Sequence, residues 1–193
     1  MEGRSRSVSY GMSANRHLGR IVALQTLYEQ DFRLECGDKK FVLAEVLKRN
    51  IERYEKTIAD QDFVKRLVQG IDKKTAQLDK KIQPLAPEWP LEQIARMDRM
   101  VLRMGAYELL FEPKTPPKVA INEAVELAKS FGGDNSSKFI NGVLGSLLRQ
   151  KDAKSSKPSQ LETNRLGKPK TTALPAQTSK KVSAGKPIKK KAK

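Results

Sequence analysis

The sequence is poor in the residues that most often carry catalysis or hold metals. It contains one cysteine, Cys36, and one histidine, His17, among 193 residues. A single cysteine excludes an internal disulfide and a cysteine-based zinc site, and it fits a reducing compartment. One histidine far from that cysteine leaves no basis for a histidine-centred nucleophilic or acid/base site. We therefore predict a protein that is not an enzyme and that uses no cofactor or metal.

Long apolar runs and phosphate-binding loops are also missing. No apolar run approaches the roughly 20 residues that a membrane span needs, and the N-terminus lacks the apolar stretch of a secretory signal. The sequence has no GxGxxG pattern and no loop ending in Gly-Lys-Ser or Gly-Lys-Thr. Its nearest glycine pair, Gly142 and Gly145, lies inside a predicted helix, where close helix packing is the expected reason for both. We expect a cytoplasmic protein without membrane contact.

Acidic residues are outnumbered by basic ones. The chain has 38 Lys and Arg against 22 Asp and Glu, a net charge of +16 and a pI near 10.0. Such a charge indicates a polyanionic partner, most commonly nucleic acid. Residues 151–193 alone hold 13 basic and two acidic residues, a net charge of +11. With four prolines and no aromatic residue they predict a disordered Lys-rich tail, either a solubilising end or a non-specific phosphate binder.

The remaining apolar residues recur at the helical spacing of three and four, and no segment alternates like a strand. We therefore predict an all-α fold. The first helix, residues 16–33, follows the candidate caps Ser13 and Asn15. One face of that helix carries Ile21, Leu24, Tyr28 and Phe32. The other helices are expected at residues 41–55, 60–83, 91–111, 118–131 and 135–150.

Prolines divide this helical region. Pro84, Pro87 and Pro90 separate the third and fourth helices and mark a sub-domain boundary or a bent connection. We expect a flexible basic arm at residues 1–15 and a helical domain at residues 16–150. Within the domain, two small antiparallel bundles would span residues 16–83 and 91–150.

Two places suit RNA binding. The first is a basic cluster at the start of the chain, formed by Arg4, Arg6, Arg16, His17 and Arg20. On its own this cluster fits a solvated basic end as well as a binding surface.

The second place is the turn at residues 132–138, where glycines meet a helix N-terminus that favours anions. Phe131 and Phe139 flank the turn and could stack on unpaired bases, as is typical of single-stranded RNA recognition. The alternative is structural: Asp134 or Asn135 caps the helix while both phenylalanines pack in the core.

The same residues carry a resemblance to a known family. Residues 118–144 read KVAINEAVELAKSFGGDNSSKFINGVL, and residues 101–111 read VLRMGAYELLF. Both stretches resemble the C-terminal signature of the NusB family of transcription antitermination factors. The first helix, RHLGRIVALQTLYE at residues 16–29, is similar to the family's arginine-rich opening helix. The resemblance spans residues 16–150 and is weakest between Asp38 and Pro84.

The resemblance implies an all-helical fold of two packed bundles and a function in transcription. Such a protein pairs with NusE, a ribosomal protein of the small subunit, and binds the boxA element of ribosomal RNA leaders as a single strand. Together they help the RNA polymerase antitermination complex to resist termination. Monomers and homodimers both fit the resemblance. The implied RNA contacts are Arg16, His17, Arg20, Phe131, Asn135, Lys138 and Phe139, and the implied partner contacts are Tyr28 and Asp98.

This sequence departs from the family pattern at two sites. His17, Leu18 and Gly19 interrupt the opening arginines, which weakens the expected phosphate grip there. Asn135 stands where some members have an acidic residue, and the loss of a negative charge beside RNA should favour binding.

Other functions remain open at this point. A NusB-like domain also precedes the catalytic domain of some RNA cytosine methyltransferases, but residues 151–193 hold no cofactor pattern or catalytic cysteine. A non-specific nucleic-acid binder, or a stand-alone RNA-holding module in ribosomal RNA maturation, is the remaining alternative.

Overall fold

The protein is described by a computed structural model, which gives the backbone of residues 5–155 and the side chains of residues 15–153. This part of the chain contains six helices, one short 3-10 turn and no strand, which confirms the all-α prediction. The elements are α1 (Ser5–Glu35), α2 (Leu43–Arg53), α3 (Gln61–Ile82), the 3-10 turn (Gln83–Leu85), α4 (Arg96–Phe111), α5 (Pro117–Phe131) and α6 (Ser136–Ser155). Most of the predicted Lys-rich tail lies outside the described residues. No helix between residues 5 and 155 is long and apolar enough to cross a membrane.

Two helices begin several residues away from their predicted starts: α1 begins before its predicted caps, and α4 begins later after Pro90 than predicted. α1 begins at Ser5, so residues 5–15, which we expected as a flexible arm, are helical. No proline interrupts this stretch, and the helix runs through the predicted caps Ser13 and Asn15. α4 begins at Arg96 instead of Leu91, because the residues after Pro90 form turns.

α6 continues five residues beyond its predicted end, to Ser155. The ammonium group of Lys151 donates to the carbonyl oxygen of Leu109 at 2.6 Å. This bond satisfies a carbonyl in the last turn of α4, which has no partner within its own helix. The first residues of the segment expected as a tail therefore belong to the helical domain.

One hydrophobic core joins both halves of the domain, and α4 lies at its centre. α4 packs against α1, α3, α5 and α6. Gly105 allows α5 and α6 to approach α4 closely, because a Cβ atom there would lie 2.4 Å from Cδ1 of Leu144 in α6 and 3.2 Å from Cβ of Ala124 in α5. The apolar residues at helical spacing within the predicted third helix, residues 60–83, lie in this core. These residues are Phe63, Leu67, Ile71, Leu78 and Ile82.

A buried ion pair ties four helices together inside this core. Arg20 of α1 and Glu108 of α4 have side chains that are each 2% exposed. The Arg20 Nε and Nη2 groups donate to the two carboxylate oxygens of Glu108 at 2.8 and 2.6 Å. Glu123 of α5 lies 3.5 Å from Nη1 of Arg20, and the ring of Phe63 in α3 lies 5.2 Å from its guanidinium carbon. This bidentate geometry compensates for the desolvation of both charges.

The turn between α5 and α6 depends on close backbone approach. A Cβ atom at Gly132 would lie 2.5 Å from Cβ of Ser136 and 2.7 Å from the carbonyl oxygen of Ala128. The amide of Gly132 donates to that same carbonyl at 2.9 Å, which ends α5. A side chain at this position would therefore push α5 and α6 apart, whereas at Gly133 the nearest atom is 3.9 Å away.

Replacing Arg20 with alanine should lower the free energy of unfolding by about 3–5 kcal/mol, because Glu108 would remain buried without its partner. The matched control is Arg49→Ala, which removes an arginine paired with Glu29 at a site where the Arg49 side chain is 51% exposed. That control should cost less than about 1 kcal/mol. Urea unfolding followed by circular dichroism measures both, and equal losses would contradict the assigned role of the buried pair.

Replacing Gly132 with alanine should destabilise the protein by roughly 1–3 kcal/mol, because the added methyl group overlaps Ser136 and Ala128. Gly133→Ala makes the same chemical change one residue later, where space is available, and should stay within about 0.5 kcal/mol of the wild type. Thermal and urea unfolding of the two variants give the comparison. A Gly132→Ala variant as stable as Gly133→Ala would show that the turn relaxes without cost.

Candidate nucleic-acid interface

The basic residues at the start of the domain fall into two environments. Arg16 is 30% exposed in its side chain, 3.3 Å from the Asp60 carboxylate, with its guanidinium 5.3 Å from the Phe63 ring centre. His17 is 35% exposed, and its Nδ1 lies 2.8 Å from Oε2 of Glu123. Both side chains therefore reach the surface of α1, each beside one carboxylate. The cluster is less positive than the sequence alone indicates.

Arg20 does not share that surface. Its guanidinium is occupied by Glu108 inside the core, so the RNA contact expected of it is corrected to a structural role. The physical reason is the carboxylate from α4, which lies 88 positions along the chain and fixes the guanidinium by two hydrogen bonds. Among the residues of the basic cluster whose side chains are described, Arg16 is thus an exposed cation. His17 is a second one when it is protonated.

The turn at residues 132–138 exposes most of the side chains expected to bind RNA. Phe131 at the end of α5 is 40% exposed, and Asn135 and Lys138 are exposed as well. Phe139 is partly buried and packs against the core. The structural alternative therefore applies to Phe139 in part and does not apply to Phe131. The carbonyl of Asn135 accepts from the amide of Phe139 at 3.1 Å, so Asn135 occupies the position just before α6.

A serine hydroxyl holds this turn against the start of α4. The Ser136 Oγ accepts from the amide of Gly133 at 2.8 Å and donates to Oδ2 of Asp98 at 2.8 Å. Asp98 is partly buried. Its other oxygen, Oδ1, is buried with no hydrogen-bond partner among the described side chains. The residue expected to contact a protein partner is thus bonded to the turn expected to contact RNA.

Asp98 and the turn line one open groove of about 650 Å³. Its walls include Asn135 and Phe139 from the RNA-binding set, together with Trp89 from the connection before α4. A second groove runs alongside and is lined by Trp89, Lys138, Phe139 and Gly142. The structure therefore brings Asp98, Asn135, Lys138 and Phe139 together around two neighbouring grooves.

Tyr28 lies on another part of the surface near the start of α4. The guanidinium of Arg96 is 5.7 Å from the Tyr28 ring centre and 5.2 Å from that of Phe32, which is 48% exposed. Arg96 also pairs with Asp31 at 3.0 Å and with Glu35. The hydrogen bond with Glu35 raises the pKa of Arg96. Tyr28 and Asp98 are thus linked through the first turn of α4.

Two features of this region were not recognised from the sequence. Trp89 lines both grooves and is 55% exposed, although the prolines around it were interpreted only as a break between helices. The signal available was the single tryptophan of the chain placed in a polar, proline-rich connection. The prediction of close helix packing at Gly142 was also wrong, because a Cβ atom there would meet nothing within 4 Å. The described residues contain no group of three or more His, Cys, Asp or Glu side chains that could hold a metal ion.

Comparison with known proteins places this arrangement in a family. The NusB family model matches residues 17–149. The transcription antitermination protein NusB of Dehalococcoides mccartyi is 44% identical over 138 residues, which cover 72% of this chain and 92% of that protein. T. maritima NusB has a similar structure, with a TM-score of 0.62 and 32% identity over 70% of this chain and 91% of that one.

A further likeness concerns the fold alone. A chain in the crystal structure of the antitermination factors NusB and NusE in complex with dsRNA superposes with a TM-score of 0.61 at 23% identity. It covers 71% of this chain and 98% of its own. The family match extends from α1 to α6 and includes His17 and Arg20 of the basic cluster and the whole α5–α6 turn. This chain therefore belongs to the NusB family.

Proposed function

We propose that this protein is a transcription antitermination factor. Together with the ribosomal protein NusE, it binds boxA-type single-stranded RNA of ribosomal RNA leaders and supports processive transcription by RNA polymerase. The observation that carries the proposal is the family match over residues 17–149, reinforced by an antitermination protein at 44% identity. The exposed aromatic, amide and ammonium groups of the α5–α6 turn supply the chemistry for an unpaired strand.

The proposed RNA surface consists of the exposed members of the two sites. At the turn, Phe131 offers a ring for base stacking, Asn135 an amide for base edges, and Lys138 a cation for phosphate. Phe139 lines both grooves beside them. Arg16 and His17 form the second part of the surface, where His17 contributes charge only when it is protonated.

The proposed protein-partner surface contains Tyr28 and Asp98. Tyr28 and Phe32 form a half-exposed aromatic patch beneath Arg96, a combination that is common at the centre of protein interfaces. Asp98 lies two residues after Arg96 on the same turn of α4. A partner that covers this patch would lie close to the groove that Asp98 shares with Asn135.

We propose that the protein binds RNA without catalysing a reaction and that it acts in the cytoplasm. The same surface would also fit an alternative function: a stand-alone RNA-holding module, or a non-specific nucleic-acid binder, in ribosomal RNA maturation. The charge of +11 on residues 151–193 favours that alternative only if the tail provides the binding. A homodimer is a further proposal that size measurement with and without RNA would decide.

The first test measures RNA affinity of the full chain by fluorescence anisotropy, with and without NusE. A labelled boxA strand is compared with a scrambled strand across a salt series. We expect tighter, sequence-selective binding when NusE is present, because base readout and a second protein surface add to phosphate contacts. A chain ending at Ser155 should keep that selectivity and lose only non-specific affinity.

The non-specific binder predicts the opposite results in these measurements. A non-specific binder would show no preference for boxA and no dependence on NusE. Its affinity would disappear in the chain that ends at Ser155, and the salt dependence would fall with the number of lost lysines. That combination of results would remove the antitermination proposal.

Asn135→Asp should weaken boxA binding about fivefold at low salt, because a negative charge about 4 Å from a phosphate costs roughly 1 kcal/mol where water surrounds both charges. The loss should shrink as salt rises. The control is Gln69→Glu, which adds the same charge in the groove between α2 and α3. Unchanged affinity of Asn135→Asp at low salt, or an equal loss in Gln69→Glu, would place Asn135 outside the RNA surface.

A further inference from the structure

Trp89 is a large apolar residue whose side chain is exposed to solvent. It is the single tryptophan of the protein, and 55% of it is exposed. It lies in the connection between the 3-10 turn and α4. Exposed tryptophan is uncommon on surfaces without a partner and is enriched where proteins bind other molecules.

The connection holds Trp89 in a defined position. The side-chain amide of Gln83 donates to the carbonyl oxygens of Ala86 at 3.3 Å and Trp89 at 3.2 Å, while its oxygen accepts from the amide of Leu91 at 3.0 Å. The amide of Trp89 itself donates to the carbonyl of Ala86 at 3.2 Å. One glutamine side chain thus fixes the backbone on both sides of the tryptophan, so little backbone freedom is lost when the ring binds a ligand.

Trp89 stands between the two grooves, and both grooves share Phe139 as their second aromatic wall. The second groove is also lined by Lys138, a cation, and by Glu88, an acid next to Trp89 in the chain. Gly142 leaves space in this groove, because a Cβ atom there would meet no other part of the protein within 4 Å. The grooves therefore combine two aromatic side chains and free space with one cation, Lys138, and three acids, Glu88, Asp98 and Asp134.

We propose that Trp89 is a base-stacking residue that extends the RNA surface from the α5–α6 turn to the connection before α4. An unpaired base would stack on the indole ring in the groove shared with Phe139, with the adjacent phosphate near Lys138. The neutral face of a base tolerates the nearby Glu88, whereas a phosphate at that end would be repelled. This assignment rests on the proposed function, because Asn135, Lys138 and Phe139 line the same grooves.

The test uses the full chain with NusE and a labelled boxA strand. Trp89→Ala should weaken binding about 5- to 150-fold, the range for loss of one base stack, while Trp89→Phe should retain most of the affinity. The control Val42→Ala shortens another exposed apolar side chain, 46% exposed, on the connection before α2. Its affinity should match that of the wild type.

The single tryptophan also gives a direct optical readout. Unlabelled boxA RNA titrated into the complex should quench the fluorescence of Trp89, measured as the difference from the Trp89→Phe variant. Gly142→Leu fills the groove without removing any side chain, and leucine favours helix more than glycine does. This variant should melt no lower than the wild type and should lose RNA affinity by a factor similar to that of Trp89→Ala.

The outcomes separate this assignment from the proposed function. Selective boxA binding that is unchanged in Trp89→Ala and Gly142→Leu, with no quenching, would overturn the stacking assignment alone. Loss of NusE binding by Trp89→Ala in the absence of RNA would overturn it in favour of a protein site. If the wild type does not bind boxA selectively, the proposed function fails and the assignment fails with it.

Discussion

The buried pair of Arg20 and Glu108 is the interaction on which the arrangement of the helices depends. Two charges that are almost completely removed from water are tolerated only if each satisfies the other, so α1 and α4 have one relative position that keeps both hydrogen bonds. Glu123 and Phe63 bring α5 and α3 to the same point. Because α1 is anchored there, Arg16 and His17 are carried to the surface beside Asp60 and Glu123.

Local patterns were sufficient for the helices and for the core of α3, since apolar spacing is a property of neighbouring residues. They were not sufficient for Arg20, which in sequence resembles the other basic residues near the start of the domain. Only the tertiary fold brings Glu108 to it from 88 positions away. Burial of a charge is decided by such a distant partner, and no periodicity encodes it.

The same limit explains other differences between expectation and structure. Phe32 follows the apolar spacing of α1 but is 48% exposed, because the core side of that helix is provided by Val22, Ala23, Leu24 and Leu27. Asp98 is close in sequence to Arg99 and Arg103, but these two arginines donate hydrogen bonds to Asp31 and Asp79. Asp98 is left to bond Ser136 instead. Helical period locates a face only to within about one residue, and side-chain pairing then selects the contacts.

The Ser136 hydroxyl makes the proposed protein and RNA surfaces physically dependent on each other. It donates a hydrogen bond to Asp98 and accepts one from the amide of Gly133, so one side chain connects the first turn of α4 with the α5–α6 turn. A variant of Asp98 would leave this buried hydroxyl without its acceptor and would loosen the turn as well as the partner surface. Weakened RNA binding by such a variant is therefore no measure of partner contact unless the stability of the turn is measured alongside.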